Sequence, residues 1–525
     1  MPHAMPAPGF QAIILCGPGS SFPTFTSNPD KNPKALIPIA NRPMVWYPID
    51  FCYRMGVTNI TLITPPSSEE AIKTALATNP HLTSLPLPKP DLLAPEELDQ
   101  TTGTAQIFRL PEVRNIIKGD FIVLPCDLVC ELGGGDHEGP KMALGGERGG
   151  RRGGLGVWYE TKSETPIKGE ETDFIAISPL APTSVPSSKS SLIPHVSNLL
   201  YSVPTDTLKD IVEDKKGLPI RHALVRSHPR IRMLSSHRDA HIYIFPAWVL
   251  DMISANEHMD NIGEDVIGWW SKAGWQQGLG DKLGLRDIFE KTRPDESDDN
   301  MLDNGPASDD VDYGPSSKKS SDNSTASDKS NLAIPPILAY IHPSKPTAEE
   351  SSPLIRRVDT APILLNVSLQ LAKIEAIDQV GRDAASPFAH NSKIAWPEGI
   401  AQKTTVRPDC LLAENVIVEE KCIIKECVIG ANCQIKTGAR LTRCVLMDGV
   451  TVGSSCTLTD CVLGKGSVIG DKSELQDCEV QEEFDVDPGT NKKKDRLMSA
   501  AGLGVATEDE IQEFNQNDSD GSESD

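Results

Sequence analysis

The sequence contains no run of eighteen apolar residues; its longest candidate, His241 to Ile253, is too short to cross a bilayer. Met1 to Cys16 lacks both the basic start and the long apolar centre of a secretion signal. Positive charge is scarce: 51 Lys and Arg face 74 Asp and Glu, for a net charge of −23. That balance argues against a nucleic-acid sleeve or an anionic membrane surface as the main partner. C-x-x-C pairs are absent, which removes the usual zinc spacing, and the 12 cysteines are thinly spread for a disulfide scaffold. The expectation is a soluble intracellular protein with reduced thiols, no metal and no membrane or direct nucleic-acid role.

What is present fits more than one domain, since 525 residues far exceed one small fold. Ala12 to Leu15 is an apolar run entering the loop Cys16-Gly17-Pro18-Gly19-Ser20-Ser21, read as a strand and a Gly-rich turn. Met44 to Met55 has helical length, Asn59 to Thr64 reads as a second strand, and Ser67 to Thr78 as a helix opened by a Ser67–Glu70 capping box. Phe121 to Pro125 is a third buried strand, ending at Cys126-Asp127. This alternation predicts an α/β domain with a parallel sheet and a ligand cleft at the carboxyl ends of its strands. His241 to Leu250 and Ile337 to Ile341 read as later core strands, so the domain is placed at 1–375. Two inserts interrupt it, 133–156, glycine-rich with Arg148, Arg151 and Arg152, and 291–331, rich in Ser, Asp and Asn. Both are too poor in apolar residues to offset their ordering entropy and are expected to be disordered.

After a linker at 376–408 the period changes. Leu411, Ile417, Ile423, Ile429, Ile435 and Leu441 recur every six residues. A one-residue slip leads to Leu446, Val452 and Leu458, and another to Leu463, Ile469 and Leu475. Small residues stand two positions earlier at Cys427, Cys433, Ala439, Cys444, Cys456, Cys461, Ser467 and Ser473. A period of six fits neither an α-helix nor one long strand; it fits a flat-sided solenoid with an inward aliphatic on each face. The pattern resembles the hexapeptide repeats of left-handed parallel β-helices. Twelve hexads predict about four coils over 409–480. Five of the eight cysteines between Cys410 and Cys478 take the small inward position. From Glu482 the repeat is expected to stop, and 481–525 reads as an acidic disordered tail, with eight acids and no base from Glu508 to Asp525. An acyltransferase of the hexapeptide class is set aside, because the last histidine, His390, precedes the repeat.

Nucleotidyl transfer to a sugar phosphate needs close amides around phosphates, a cation on the leaving group and carboxylates for magnesium. The stretch from Cys16 to Pro43, with its Gly-rich loop, Pro33-Lys34, Pro38 and Asn41-Arg42-Pro43, resembles the signature of nucleotide-sugar pyrophosphorylases. Gly103-Thr104-Ala105 is similar to that family's base-side segment, and Asp127 stands where it has a magnesium-binding aspartate. Cys16 replaces the loop's first glycine, Ser21 its arginine and Cys126 the glycine before the aspartate. Loss of the arginine alone should raise the barrier by about 3–4 kcal/mol, by analogy with removal of one oxyanion donor. Gly17, Gly19, Lys34, Gly103 and Asp127 are therefore candidates for a vestigial nucleotide site, with no catalytic residue, no metal ligand and no cofactor assigned.

A pyrophosphorylase-like domain with a degraded loop, followed by a β-helix, resembles the gamma-type subunits of translation initiation factor 2B. Lys34 to Pro43, Trp46-Tyr47-Pro48-Ile49 and Leu124 to Leu128 are the local matches, with Pro125 departing from the expected serine. The related epsilon type adds a helical-repeat domain that carries guanine nucleotide exchange, and this sequence shows no such segment after the hexads. The resemblance implies a noncatalytic cytosolic assembly subunit, with an epsilon-like catalytic subunit and other subunits as partners and initiation factor two as client. Two other readings stand beside it. One is a sugar-1-phosphate nucleotidyltransferase using Lys34 on the sugar phosphate and Asp127 on magnesium. The other is an inactive domain that still holds GTP or a sugar nucleotide at Gly17, Gly19 and Lys34.

Overall fold

A computed structural model describes residues 9–99, 101–133, 151–161, 167, 170–181, 192–291, 332–343, 353–382 and 384–499. Nine strands form the main sheet. Their spatial order is Asp91–Leu93, Asn59–Ile63, Gln11–Leu15, Phe121–Pro125, Arg232–Phe245, Gly154–Glu160, Ile337–His342, Val196–Pro204 and Asp173–Pro179. The first four are parallel, but Arg232–Phe245 runs antiparallel to its neighbours, so the sheet is mixed rather than parallel throughout. Alternation along Gln11–Leu15 shows how it is buried: Ala12 and Ile14 face one core, Ile13 the other. Helices Trp46–Arg54 and Ala361–Lys373 cover the first face, and Trp248–Ala255 and Ile267–Ala273 the second.

Local chemistry explains the departures from the expected elements. The apolar run from His241 is not one strand: it ends at Phe245, Pro246 withholds a ladder donor, and a helix follows at Trp248–Ala255. The helix placed at Ser67 starts at Glu69 after a 3-10 turn, Pro66–Ser68, and no side chain caps it, so the capping box is not formed. The glycine-rich insert is shorter than 133–156. Gly154 and Gly156 belong to a buried strand, where an added Cβ would strike the rings of Trp270 and Trp158 at 2.5 and 2.7 Å. The remainder, 134–150, lies outside the described residues, as do 292–331 and 500–525.

The solenoid is longer than twelve hexads predict. Its three parallel sheets hold six, six and five strands, from Thr405–Val406 to Arg496–Leu497, nearly six coils rather than four. Bridges Ile394↔Leu412 and Ile400↔Val418 extend it back into the segment read as linker. The repeat therefore passes Glu482 without stopping, and 481–497 is part of the solenoid rather than of the tail.

The register also differs in the first coil. The inward residues are Leu412, Val418 and Ile424, while Ile417 is 51% exposed. From Ile424 the steps run five, six and six: Ile429, Ile435, Leu441, then Leu446, Val452, Leu458. On that register all eight solenoid cysteines, not five, sit two residues before an inward aliphatic, and all are buried. Their thiols donate to backbone carbonyls, as Cys433 Sγ does to Met447 O at 3.1 Å. From Asn415 to Lys494 each turn places one residue in the left-handed region, for example Asn432 at φ 59° and Gly438 at φ 79°.

Candidate functional site

At the carboxyl ends of the central strands lies a cleft of about 200 Å³, lined by Cys16, Gly17, Lys34, Thr104, Asp127, His241 and Arg357, among others. Parallel pairing aligns Leu15 with Pro125, which brings Cys16 and Cys126 side by side at the floor. Lys34 enters from a 3-10 turn, Lys34–Leu36, set by Pro33. Asp127 follows directly after the strand Phe121–Pro125. His241 reaches the cleft because the strand Arg232–Phe245 breaks register between Asp239 and Tyr243. There His241 adopts φ 52° and donates its N–H to Asp239 Oδ1 at 2.8 Å. Arg357 ends a short strand, Ile355–Arg357, paired with Leu128–Cys130.

Asp127 is only 1% exposed and clamped by two cations. Lys34 Nζ lies 2.8 Å from one carboxylate oxygen and Arg357 Nε 3.4 Å from the other. Burial alone would raise its pKa, but Lys34 and Arg357 outweigh it and hold the carboxyl well below the usual range. Burial likewise opposes the charge on Lys34, and Asp127 restores it. His241 is held neutral by burial and by Arg357, whose guanidinium lies 3.2 Å from Nε2. Behind them Arg238, 3% exposed, pairs with Asp359 and lies 3.7 Å from Glu170. Asp239, pushed up to about 7 by burial and then by Asp173, accepts from the Tyr243 hydroxyl.

The five residues singled out from the sequence divide. Gly17, Lys34 and Asp127 meet in the cleft. Gly17 has open space where a Cβ would be. Gly19 serves the loop itself. Its φ of 91° and the contact of an added Cβ with Thr26 at 2.9 Å demand glycine, and Thr26 Oγ1 donates to Gly19 O. Gly103 lies beside the cleft with its α-carbon pressed on Asp260, where a Cβ would meet the carbonyl at 2.3 Å; its neighbour Thr104 lines the cavity and accepts from Ile262 N. Ser21 is exposed and does not line the cavity.

The Asn-Arg-Pro element works elsewhere. Asn41 Nδ2 donates to Ile429 O of the solenoid, and Arg42, stacked on Trp46, donates to Phe388 O and Ala389 O. His241 and Arg357 were missed, since neither sits in a motif and Arg357 is more than 200 residues from the aspartate it binds.

As built, the cleft is a neutralised ion-pair site. With both oxygens of Asp127 engaged and no group of three metal-type ligands among the described residues, the donor set does not fit a magnesium ion. An anion approaching Lys34 or Arg357 would share their charge with Asp127.

Fold and cleft together define a nucleotidyltransferase-like α/β domain joined to a left-handed β-helix. Residues 397–491 match the family described as the EIF2B subunit epsilon LbH domain. The chain is also similar to translation initiation factor eIF2B subunit gamma of Schizosaccharomyces pombe, 27% identical over 270 residues. That match covers 51% of this chain and 52% of the relative, so the chain spans about half the length of the curated relative it matches. The chain is thus similar to an eIF2B gamma subunit over half its length and, in its solenoid, to the left-handed β-helix described for the epsilon subunit. Among the described residues no helix is long and apolar enough to cross a membrane.

Proposed function

We propose that this chain is a noncatalytic assembly subunit of an eIF2B-type complex in the cytosol. Its two domains seat an epsilon-like catalytic subunit and its neighbours, and help hold initiation factor two during exchange of GDP for GTP. The observation that carries the reading is the double occupation of Asp127 by Lys34 and Arg357. A nucleotidyltransferase needs that carboxylate free for metal and its cations free for phosphate. Ser21 and Cys16, in place of an arginine and a glycine, point the same way, and the similarity to a gamma subunit supplies the complex.

The test is guanine nucleotide release from initiation factor two, measured with the chain alone, with the epsilon-type subunit alone and with both. The expected result is no acceleration by the chain alone and a faster rate with both than with epsilon alone. A chain that accelerates release unaided overturns the proposal. The second reading, a sugar-1-phosphate nucleotidyltransferase, is favoured by the meeting of Gly17, Lys34 and Asp127 in one cleft. Magnesium-dependent pyrophosphate release from a nucleoside triphosphate and a sugar phosphate, lost in Asp127→Ala, would establish it instead.

A further inference from the structure

A second concavity, about 300 Å³, opens at the far edge of the main sheet, away from the Asp127 cleft. Its walls come from the strands Asp173–Pro179 and Val196–Pro204, the helices Thr205–Lys215 and Ile267–Ala273, and the loop between Lys215 and Leu224. The floor is aromatic: Tyr201, Trp269 and Trp275 all line it, and Trp275 is fixed by donating Nε1–H to Leu200 O at 2.8 Å. At the rim Ile220 is 48% exposed and Met233 43%, with Val225 at 51% on the adjoining helix. Three of the nine large hydrophobics that stand exposed in the described chain thus lie in or beside one concavity.

Its charge is the reverse of the molecule's. Lys215, Arg221 and Lys272 line it, and none of its lining residues is acidic, in a chain of net charge −23. None of the three makes an ion pair with a described residue. Lys272 is held over the rings of Tyr201 and Trp269, each 4.8 Å from its ammonium. The carboxylate that acts on it, Asp265, makes no ion pair with it and accepts at Oδ2 from the amides of Asp260 and Asn261, both 2.9 Å away. Burial disfavours the charge on Lys272, so a carboxylate brought into the groove gains a cation already stripped of much of its water.

We propose that this groove is a docking site for a partner-protein segment that inserts a bulky apolar side chain, flanked by Asp or Glu residues. Aromatic walls receive the apolar anchor and the three cations receive the carboxylates, which is the usual division between a buried anchor and a charged rim. The alternatives fit less well. Arg226, Arg230 and Arg232 carry exposed positive charge beyond the cavity, but the cavity's own lining is mostly apolar and aromatic, which suits a buried side-chain anchor better than a phosphate backbone. A second copy of this chain would bring the same large negative charge. The proposal does not depend on whether the Asp127 cleft is catalytic.

The test uses the full-length chain and a short labelled peptide in which Glu and Asp alternate with Leu and Phe, with a Lys-substituted peptide as control, read by fluorescence anisotropy. Expected are saturable binding of the acidic peptide alone, weakening with added salt, and a loss of about tenfold or more in both Arg221→Glu and Met233→Glu. Both side chains are exposed, so the fold should survive, and an unchanged melting temperature confirms it. Absence of saturable binding, equal binding of the Lys peptide, or wild-type affinity in either variant overturns the proposal. So does displacement of the peptide by single-stranded RNA at comparable concentration, which would make the groove a nucleic-acid site. Concentration-dependent dimerisation abolished by Met233→Glu would assign it to self-association and overturn it equally.

Discussion

Lys34 and Asp127 are the residues where a stability measurement bears most directly on function. With Asp127 buried, removal of Lys34 leaves its charge with Arg357 alone, at the longer distance of 3.4 Å. Breaking a buried pair from one side costs about 3 kcal/mol or more, because the surviving charge is left under-compensated. Lys34→Ala should therefore lower the urea midpoint markedly at pH 7, and adding Asp127→Asn should recover part of the loss. Asp127 has a depressed pKa, so its contribution is present above its unfolded value near about pH 4 and is lost as pH falls through the folded value. The Lys34→Ala deficit should accordingly shrink towards strongly acid pH. A deficit that stays constant from neutral to acid pH would mean that Lys34 acts by packing and not by charge.

Asp239 titrates with the opposite sign. Its pKa is raised to about 7 by burial and by Asp173, so the native state keeps a proton that the unfolded chain loses above about pH 4. Stability from this group is complete below that value and declines as pH rises to about 7. Asn matches the protonated acid in shape and can still accept from His241 N and donate to the Tyr243 hydroxyl. Asp239→Asn should then flatten the decline between pH 4 and 7 and leave the protein more stable than wild type at pH 8, by denaturant titration at each pH. None of this chemistry was legible in the sequence. Asp127 and Lys34 could be found because a motif marks them, whereas Asp239, His241 and Arg357 converge only through a strand irregularity and a distant short strand.

At the scale of elements, periodicity carried more information than residue type. The six-residue spacing identified a solenoid, yet it misplaced the first coil by one residue, because Leu411-Leu412, Ile417-Val418 and Ile423-Ile424 are adjacent aliphatic pairs. Only the three-dimensional stack shows which member faces inward. The cysteines could have decided it, since Cys410 and Cys422 precede Leu412 and Ile424 by two, as Cys427 precedes Ile429. The solenoid's end was lost for the opposite reason: Glu479, Asp485 and Asn491-Lys492-Lys493 occupy strand positions with polar side chains. The backbone there continues by parallel pairing without an apolar pattern to announce it.

Tight stacking of the coils yields a prediction at the same scale. Gly464 lies where an added Cβ would meet Glu482 N at 2.5 Å and Val480 O at 2.8 Å of the next coil. Gly464→Ala must push those coils apart, and overpacking of this kind costs about 1–3 kcal/mol. Ala at Gly119, where a Cβ meets nothing within 4 Å, should be nearly neutral by comparison. The check is the difference between the two thermal midpoints; equal midpoints would show that the coils yield freely.

Across the whole molecule, the solenoid is packed onto the α/β domain rather than tethered to it. Leu411, Val428, Val445 and Val462 recur every seventeen residues on one outer face and belong to the first domain's core, the strands of Val428 and Val445 lying against the helix Ala361–Lys373. At the end of that seam Glu479 accepts from Thr24 Oγ1 at 3.0 Å, and Glu482, 5% exposed, receives four hydrogen bonds from the segment that follows the Gly-rich loop. The donors are Ser27 Oγ at 2.8 Å, Asn28 N at 3.2 Å, Asn28 Nδ2 at 3.4 Å and Asn32 Nδ2 at 2.5 Å. The segment between the loop that resembles a phosphate cradle and Lys34 is thus held by a carboxylate of the solenoid.

This arrangement makes Glu482 the most informative single site for coupling between the domains. Glu482→Ala removes a charged acceptor and leaves four donors to find water, at about 1.5–3 kcal/mol for a hydrogen bond to a charged group, less whatever water restores. The apolar seam remains, so the chain should stay folded. The effect should concentrate in two places distant in sequence: faster amide hydrogen exchange in Phe22–Asn32 and in the coils around Lys465–Val486, with the sheet strands Gln11–Leu15 and Phe121–Pro125 unchanged. Glu482→Gln, which keeps an acceptor, should give an intermediate effect. If exchange rose only in the solenoid, the loop would be holding its shape through Gly19 and Thr26 alone, and the two domains would be joined by the apolar seam without this polar clasp.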